Sequence, residues 1–216
     1  MLFSDRSDAG RQLARKLSAY AGRSDVIVLA LPRGGVPVAA EVARELGVPF
    51  DLFLVRKLGV PSPPELAMGA IAEGGVEVLS EDLIRDIGIP QSAVRQVAVR
   101  ERMELDRRNM LYREGRPRPV VQDRTVIVVD DGLATGSSMQ AAVLALRQLK
   151  PAKIVVAVPV GAPDTCERLR GIADEVVCAS TPEPFQAVGL WYRQFAQTSD
   201  EEVRRLLAAA IEGHAV

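Results

Sequence analysis

The segment from Thr125 to Ala142, which reads TVIVVDDGLATGSSMQAA, constrains the fold more than any other part of the chain. The apolar run from Val126 to Val129 is typical of a buried parallel strand, and a helical pattern follows Gly136. The acidic pair and the small-residue loop between them are therefore predicted to lie at the carboxyl end of a strand. Ligands bind at this end of the strands in open α/β sheets.

The remaining chain continues the alternation of strand and helix. Strands separated by helices favour right-handed crossovers and a mostly parallel five-stranded sheet flanked by helices. The predicted strands span 26–31, 51–55, 125–129, 153–160 and 175–179, and the predicted helices span 8–21, 36–46, 136–149, 164–172 and 200–212. The last helix has a capping box, with Ser199 as the N-cap residue and Glu202 three positions later.

Two stretches depart from this alternation. Residues 67–79 look extended, and Gly74-Gly75 predicts a hairpin-like turn between two strands. The segment Ser92–Arg116 predicts one long helix within an insertion at about 80–118. Its arginines are intermixed with glutamates and aspartates, which favours a solvated, salt-bridged face over a nucleic-acid patch.

The composition favours a small-molecule partner. The 216 residues carry a net charge of −1 with both signs interspersed, so no overall field would attract nucleic acid or an anionic membrane. Charged residues interrupt the apolar positions of Met1–Ala19, which argues against a signal peptide, and a cytoplasmic location is expected. The chain is expected to form a single domain over 1–216.

Histidine and cysteine usage excludes several classes of site. The only histidine is His214, so Ser-His-Asp chemistry and multi-histidine metal binding are not expected. Cys166 and Cys178 belong to no metal-binding motif and are predicted to be buried thiols in a helix and a strand. A metal ion should therefore arrive together with its phosphate ligand.

The loop after the Val126–Val129 strand has the chemistry of a sugar-phosphate site. Small side chains and hydroxyl groups ahead of a helix let backbone N–H groups converge on a phosphate, and the candidate residues are Leu133, Ala134, Thr135, Gly136, Ser137 and Ser138. Asp130 and Asp131 can accept hydrogen bonds from vicinal sugar hydroxyls or hold a divalent cation. Together these groups describe a site for a ribose 5-phosphate.

The sequence VVDDGLATGSSM resembles the phosphoribosyl pyrophosphate (PRPP) signature of the type I phosphoribosyltransferases. Its DDxLATG pattern is most similar to that of the adenine-specific branch. The resemblance covers roughly residues 24–195. It implies an α/β fold whose small hood is formed by about 181–216 and the N-terminal segment. It also implies a transferase of nucleotide metabolism that binds PRPP with Mg²⁺, transfers ribose 5-phosphate to a small nitrogenous acceptor, and releases pyrophosphate. A homodimer is compatible with the sequence.

A second anion site is predicted after the first strand. The turn Leu31-Pro32-Arg33-Gly34-Gly35 combines flexible glycines with a bidentate phosphate donor, although the same pattern can simply open a helix. The resemblance implies that Arg33, Gly34 and Gly35 form the pyrophosphate loop, which in the family often contains a non-proline cis peptide.

Arg56 and Lys57 follow the strand predicted at 51–55 and are expected to face the same crevice, where they would stabilise departing pyrophosphate. The alternative is an ordinary exposed Arg-Lys pair. The resemblance further implies a mobile lid at Gly59–Glu65.

The acceptor is expected near the C-terminal aromatic residues. The segment around them resembles the one that lines the nucleobase in purine-salvage members, and its candidate acceptor-binding residues are Phe185, Val188, Trp191 and Tyr192. The alternative is that these residues form a small hydrophobic core under the last helix. Ala134 stands where hypoxanthine-guanine enzymes carry an aspartate, and Val158-Pro159 stands where they carry a lysine. A 6-oxopurine acceptor is therefore not expected, and no general base is assigned.

Three other interpretations remain open from the residues alone. Receiver domains also place two acids after a strand, but on their first strand, whereas this pair lies past the midpoint of the chain. A regulatory protein could keep the PRPP or nucleotide pocket without catalysis. A phosphohydrolase or phosphorylase could act on a ribosyl phosphate.

Overall fold

The computed structural model describes residues 2–60 and 66–212. The elements in chain order are α1 Arg6–Lys16, β1 Val26–Ala30, α2 Gly35–Leu46, β2 Phe50–Leu52, β3 Val55–Gly59, β4 Ala67–Ala72, β5 Val76–Leu79, α3 Glu81–Asp86, α4 Gln91–Arg113, β6 Thr125–Val129, α5 Ser137–Gln148, β7 Lys153–Val160, α6 Pro163–Arg170, β8 Glu175–Ser180 and α7 Asp200–Glu212.

The five-stranded parallel sheet predicted from the sequence is confirmed. Its strand order is β2-β1-β6-β7-β8, and every neighbouring pair is parallel. β1 and β6 are adjacent over their full length, from Val26 opposite Thr125 to Ala30 opposite Val129. The loops that follow these two strands therefore emerge side by side at one edge of the sheet.

The sheet is apolar on both faces, as the continuous β-branched runs predict. Alternate residues of each strand enter two separate cores. Val28 and Ile127 pack with α1, α2 and α7 on one face, and Leu29 and Val128 pack with α5 and α6 on the other.

The prediction of one strand over 51–55 is wrong. β2 ends at Leu52, and Arg56 and Lys57 lie inside β3, the first strand of a separate antiparallel sheet with order β3-β4-β5. The chain leaves the main sheet because the Leu52 carbonyl accepts a hydrogen bond from the buried Arg113 Nη2 at 2.9 Å, and the Leu54 N–H donates to Glu73 Oε1 at 3.3 Å. Side-chain partners thus replace the strand partners.

The predicted hairpin and long helix are both present. β4 and β5 pair antiparallel around Gly74 and Gly75, whose φ angles are +91° and +75°. The helix α4 ends at Arg113 rather than at Arg116, because Glu114 adopts a left-handed conformation with φ 50°. Helix α4 packs against β3, β4 and α7, and its buried residues are Val94, Val97, Ala98, Glu101, Leu105, Tyr112 and Arg113.

The N-terminal segment packs against the segment between β8 and α7. Phe3 and Tyr192 form an isolated bridge and pack with ring centroids 5.4 Å apart. The predicted cap of α7 is present, since the Ser199 hydroxyl accepts the Glu202 N–H at 3.1 Å. None of the helices in residues 2–60 and 66–212 combines the length and the apolar character that crossing a bilayer requires.

The expectation of two buried thiols is wrong. Cys166 in α6 and Cys178 in β8 are joined by a disulfide, with Cα atoms 7.1 Å apart. The sequence suggests no pairing because the contact depends on tertiary packing. α6 packs against β8, which brings Cys166 to Cys178.

Candidate active site

The loop after β1 and the loop after β6 are in direct contact. A Cβ atom on Gly34 would overlap the Asp131 carboxylate, and one on Gly35 would lie 2.7 Å from the Val129 carbonyl oxygen. Glycine is therefore required at both positions for the loops to approach. The Pro32-Arg33 peptide is cis, as the resemblance implies.

Asp130 and Asp131 are only partly exposed, and each carboxylate is held in place. Asp130 Oδ1 accepts the N–H of Asp131 at 2.8 Å. Asp131 Oδ2 accepts a hydrogen bond from Arg6 Nε at 2.9 Å and forms an ion pair with Arg6 Nη2 at 2.8 Å. The pair is thus ordered by one backbone donor and one guanidinium.

The surroundings of the two carboxyl groups disfavour their ionised forms. Burial raises the pKa of Asp130 well above its usual range, and the charge of Asp131 raises it further. Burial also raises the pKa of Asp131, although Arg6 opposes this rise. Hydrogen-bond donors or a cation brought by a ligand would relieve the cost of keeping both groups ionised.

The candidate phosphate loop is shaped by Gly136 and supported by α6. Gly136 has φ +73° and directly precedes α5, so the first N–H groups of a twelve-residue helix face the loop. Thr165 Oγ1 donates to the Ala134 carbonyl at 2.7 Å, and Arg168 Nη2 donates to the Thr135 carbonyl at 3.1 Å. Carbonyl oxygens that would repel a phosphate are therefore turned toward α6.

The residues predicted for the phosphate line different sides of the α5 N-terminus. Leu133 is buried, and its N–H donates to the Val160 carbonyl at 2.9 Å, so it anchors the start of the loop. Ser138 lines a cavity beneath β3 and α4, whereas Thr135 and Ser137 line another cavity, of about 510 Å³, beside the β4-β5 hairpin.

A small cavity brings the other predicted site residues together. It has a volume of about 100 Å³, and its lining includes Pro32, Arg56, Asp130 and Ser138 together with Leu105 and Arg108 of α4. A neighbouring cavity of about 690 Å³ shares Arg56 and Ser138 and is also lined by Lys57, Gln96, Arg100 and Glu101. Parts of the pyrophosphate, ribose and phosphate sites predicted from sequence thus converge below α4.

Arg33 and Arg56 have different partners. Arg56 donates a hydrogen bond from Nε to Glu101 Oε2 at 2.8 Å, and its Nη2 forms an ion pair with the same oxygen at 2.6 Å, which fixes the guanidinium beside the cavity. Arg33 Nη1 lies 3.5 Å from Asp200 Oδ1 at the start of α7. Tyr112 donates to the same oxygen at 2.6 Å, and burial together with this bond raises the pKa of Tyr112 to about 12.

The residues predicted to contact the acceptor, Phe185, Val188 and Trp191, pack against the cluster of Phe3 and Tyr192. Tyr192 also donates to the Asp131 carbonyl at 2.6 Å, which joins this cluster to the acidic pair. The packing agrees with the alternative of a small hydrophobic core. The acceptor role of these residues stays a prediction.

Comparison with known proteins agrees with this arrangement. A family model described as the phosphoribosyl transferase domain matches residues 4–193. The chain belongs to this family. Two relatives from Mycobacterium tuberculosis strains, CDC 1551/Oshkosh and H37Rv, are provisionally named phosphoribosyl transferases and are 50% identical over 209 residues, which is 97% of this chain. The aligned region is 47% of each relative, so the chain spans about half the length of the curated relatives it matches.

Two solved structures share the fold of this chain. The crystal structure of the protein TT1426 from Thermus thermophilus is 46% identical, with a TM-score of 0.89 and coverage of 97% of this chain and 99% of that chain. A hypoxanthine-guanine phosphoribosyltransferase from Bacillus anthracis is 12% identical, with a TM-score of 0.50 over 90% of this chain and 94% of that chain. The second similarity shows that the phosphoribosyl transferase fold is shared and carries no information on the acceptor.

Several residues at the site of this phosphoribosyl transferase domain were not predicted. Arg6 binds Asp131 from α1, and Asp200 binds Arg33 from α7, and neither contact has a local sequence signal. Arg108 did have a local sequence signal. Its spacing along the helix places it on the same side of α4 as Glu101, Leu105 and Tyr112. The lid predicted at Gly59–Glu65 lies, beyond residue 60, outside the described residues.

The donor set limits how a metal ion could be held. In residues 2–60 and 66–212 there is no cluster of three or more histidine, cysteine, aspartate or glutamate side chains suited to a metal. Asp130 and Asp131 offer two neighbouring carboxylates. Mg²⁺ usually binds one or two carboxylates and completes its shell with phosphate and water oxygens, so the pair fits an ion that is shared with a diphosphate.

Proposed function

We propose that the chain binds PRPP with Mg²⁺ and transfers its ribose 5-phosphate to a nitrogenous acceptor, a nucleobase being the candidate, with release of pyrophosphate. The observation that carries the proposal is the cavity of about 100 Å³ lined by Pro32, Arg56, Asp130 and Ser138. These four residues come from the segments predicted for pyrophosphate, ribose and 5-phosphate. Membership of the phosphoribosyl transferase family supports the same reaction class.

The chemistry proposed for the chain consists mainly of holding both ends of PRPP. Amides before α5 would bind the 5-phosphate, and Asp130 and Asp131 would accept hydrogen bonds from the ribose hydroxyls. The ribose C1 gains positive charge as its bond to pyrophosphate breaks, and two nearby carboxylates would stabilise that charge. The guanidinium of Arg56, fixed by Glu101, would stabilise the departing pyrophosphate.

Mg²⁺, when bound with PRPP, would neutralise part of the diphosphate charge and improve pyrophosphate as a leaving group. Asp130 and Asp131 are the residues that would contact it. The raised pKa of both carboxyl groups supports this role, because a cation would favour their ionised forms.

The acceptor is proposed to approach from the hood formed by the N-terminal segment and residues 181–212. Asp131 contacts this side through Arg6 and Tyr192, whereas Asp130 lines the cavity below α4. A nucleophile and a leaving group act on opposite faces of the ribose C1, so each needs its own space beside the acidic pair, here the hood and the cavity below α4. The position of the acidic pair between the hood and α4 therefore supports an acceptor near Phe185 and Trp191.

The proposal is tested by isothermal titration with PRPP and Mg²⁺, followed by a pyrophosphate-release screen over purines, pyrimidines and small amines. Tight binding and pyrophosphate release with one acceptor are expected. The double variant Asp130→Asn/Asp131→Asn should lose PRPP binding, while Asp82→Asn in the exposed part of α3 should keep it.

Each other outcome selects a different function. Binding of PRPP without pyrophosphate release for every acceptor would indicate a regulatory PRPP-binding protein. Release of inorganic phosphate in place of pyrophosphate would indicate a hydrolase or phosphorylase. No PRPP binding by the wild type would overturn the proposal altogether.

A further inference from the structure

We infer that Arg108, on the inserted helix α4, is an additional binding residue for the pyrophosphate group, so that α4 forms the wall of the site on the leaving-group side. The inference rests on the proposed function, because it names a residue for the diphosphate of the same ligand. It extends that function to an element that lies outside the signature loops.

The spacing along α4 brings charged side chains to the site. Four residues of α4 follow one another at intervals of four, three and four positions, which places them on one side of the helix: Glu101, Leu105, Arg108 and Tyr112. Leu105 and Tyr112 are buried in the main core and fix the rotation of α4. Arg108 lies between them on the helix and lines the cavity of about 100 Å³, and its side chain is 28% exposed.

The position of Arg108 is suited to a diphosphate. It shares the cavity of about 100 Å³ with Pro32 of the pyrophosphate loop, with Asp130 and with Arg56. Two guanidinium groups therefore line a small space beside the acidic pair, from which the diphosphate would depart. Guanidinium groups bind phosphate oxygens through paired, charge-assisted hydrogen bonds.

The neighbouring charges support this assignment. Arg33, the loop arginine, has its guanidinium beside Asp200 on α7 and is not part of the lining of the small cavity. Arg108 donates from Nε to Glu104 Oε1 at 2.7 Å, which holds the side chain at its Nε end. The cations at the small cavity thus come from β3 and α4, with Glu101 and Glu104 of α4 orienting them.

Helix α4 itself offers a matched control. Arg107 binds the same carboxylate, with Nε 2.7 Å from Glu104 Oε2, but its side chain is 58% exposed and does not line the small cavity. Hydrogen bonds from Arg107 and Arg108 lower the pKa of Glu104 to about 2, so the two arginines share one ion-pair network. Arg107→Gln and Arg108→Gln both remove one arginine from this network, and only the second removes a group from the cavity.

The experiment measures the affinities of the full chain for inorganic pyrophosphate with Mg²⁺, for PRPP with Mg²⁺, and for ribose 5-phosphate. Arg108→Gln is expected to weaken pyrophosphate and PRPP binding by roughly 10- to 100-fold, the usual effect of removing a hydrogen bond to a charged group. Ribose 5-phosphate binding should stay unchanged, and Arg107→Gln should resemble the wild type for all three ligands. Arg108→Lys should recover part of the lost affinity.

Two results would overturn the inference while leaving the proposed function in place. One is equal pyrophosphate affinity in Arg108→Gln and Arg107→Gln. The other is an equal loss for ribose 5-phosphate in Arg108→Gln, which would indicate general distortion of the site. A wild-type chain that binds neither PRPP nor pyrophosphate would overturn the proposed function and this inference together.

Discussion

Arg6 and Asp131 are 125 positions apart in the sequence, yet the guanidinium of Arg6 contacts one carboxylate oxygen of Asp131 twice, through a hydrogen bond from Nε at 2.9 Å and an ion pair with Nη2 at 2.8 Å. Arg6 also donates from Nη1 to the Ala196 carbonyl at 2.7 Å and lies 4.0 Å above the ring of Phe195. One side chain therefore connects the N-terminal helix, the proposed ribose site and the hood.

Arg6→Ala should make PRPP binding more sensitive to acid. Arg6 lowers the pKa of Asp131 against the effect of burial, so its removal should raise that pKa further. A smaller fraction of Asp131 is then ionised at a given pH, and PRPP affinity should fall about tenfold near neutrality, as expected for the loss of a charge-assisted contact.

The measurement is PRPP affinity by titration between about pH 5 and pH 8. In Arg6→Ala the decline of affinity toward low pH should begin at a higher pH than in the wild type. Arg11→Ala, in the same helix but 4.0 Å from its acidic neighbours, is the control. Coincident pH profiles for Arg6→Ala and the wild type would contradict the role assigned to Arg6.

Asp130→Asn should stabilise the fold while abolishing PRPP binding. The pKa of Asp130 is raised in the folded state, so at neutral pH its ionisation opposes folding, and this cost disappears as the pH falls below the raised pKa. The amide removes the charge and should therefore increase the free energy of unfolding at neutral pH.

Urea unfolding near pH 7.5 and near pH 5 would check this prediction. The advantage of Asp130→Asn over the wild type should shrink at the lower pH, where the wild-type carboxyl is increasingly protonated. Asp131→Asn should gain less, because its charge is already compensated by Arg6. A destabilised Asp130→Asn variant would show that the carboxylate serves folding rather than ligand binding.

The sequence predicts those features that depend on neighbouring residues. The β-branched run Val126–Val129 and the glycine before α5 are local signals, and the structure has both the strand and the helix where the pattern places them. The Pro32-Arg33 turn lies next to the acidic pair because β1 and β6 are adjacent in a parallel sheet. Local pattern and the rules of α/β topology thus suffice for the core of the site.

The features that sequence reasoning missed depend on contacts between distant segments. The pairing of Arg33 with Asp200 joins the first loop to the last helix, and no periodicity reports such a contact. The early end of β2 depends on Arg113, which lies 61 positions after Leu52. No local pattern reports this contact, and the prediction therefore placed Arg56 after the wrong strand. Tertiary partners therefore decide where this strand ends, whatever its local propensity.

Gly136→Ala should disrupt the phosphate loop. Gly136 has φ +73°, and a Cβ atom there would lie 2.5 Å from Thr165 Cγ2, so the side chain adds a steric conflict to the backbone strain. Gly47 is the matched control, because it has φ +63° with no atom within 4 Å of an added Cβ. Both variants should lose about 1 kcal/mol of stability through the backbone alone.

Ribose 5-phosphate binding distinguishes the two glycine variants. Gly136→Ala should bind the ligand at least about tenfold more weakly, because displacement of the loop misplaces the amides that hold the phosphate. Gly47→Ala should bind it like the wild type. Equal affinities in both variants would contradict the assignment of this loop to the phosphate.

Arg113→Met should destabilise the domain strongly. Arg113 is 2% exposed and binds two carboxylates, with Nη1 2.7 Å from Asp51 Oδ1 and Nη2 3.0 Å from Glu73 Oε1. Removal of one partner from a buried ion network leaves uncompensated charge and typically costs about 3–5 kcal/mol. Arg102→Met is the control, because its bond to Glu77 is half exposed and should contribute less than about 1 kcal/mol.

The loss in Arg113→Met should also depend on pH in a defined direction. Burial raises the pKa values of Glu73 and Asp51, and Arg113 opposes both rises, so its removal raises them further. Protonation then relieves the buried charge, and the destabilisation measured by urea unfolding should diminish from about pH 8 to about pH 5. A loss that is constant over this range would mean that Arg113 acts through its packing and its bond to the Leu52 carbonyl rather than through charge.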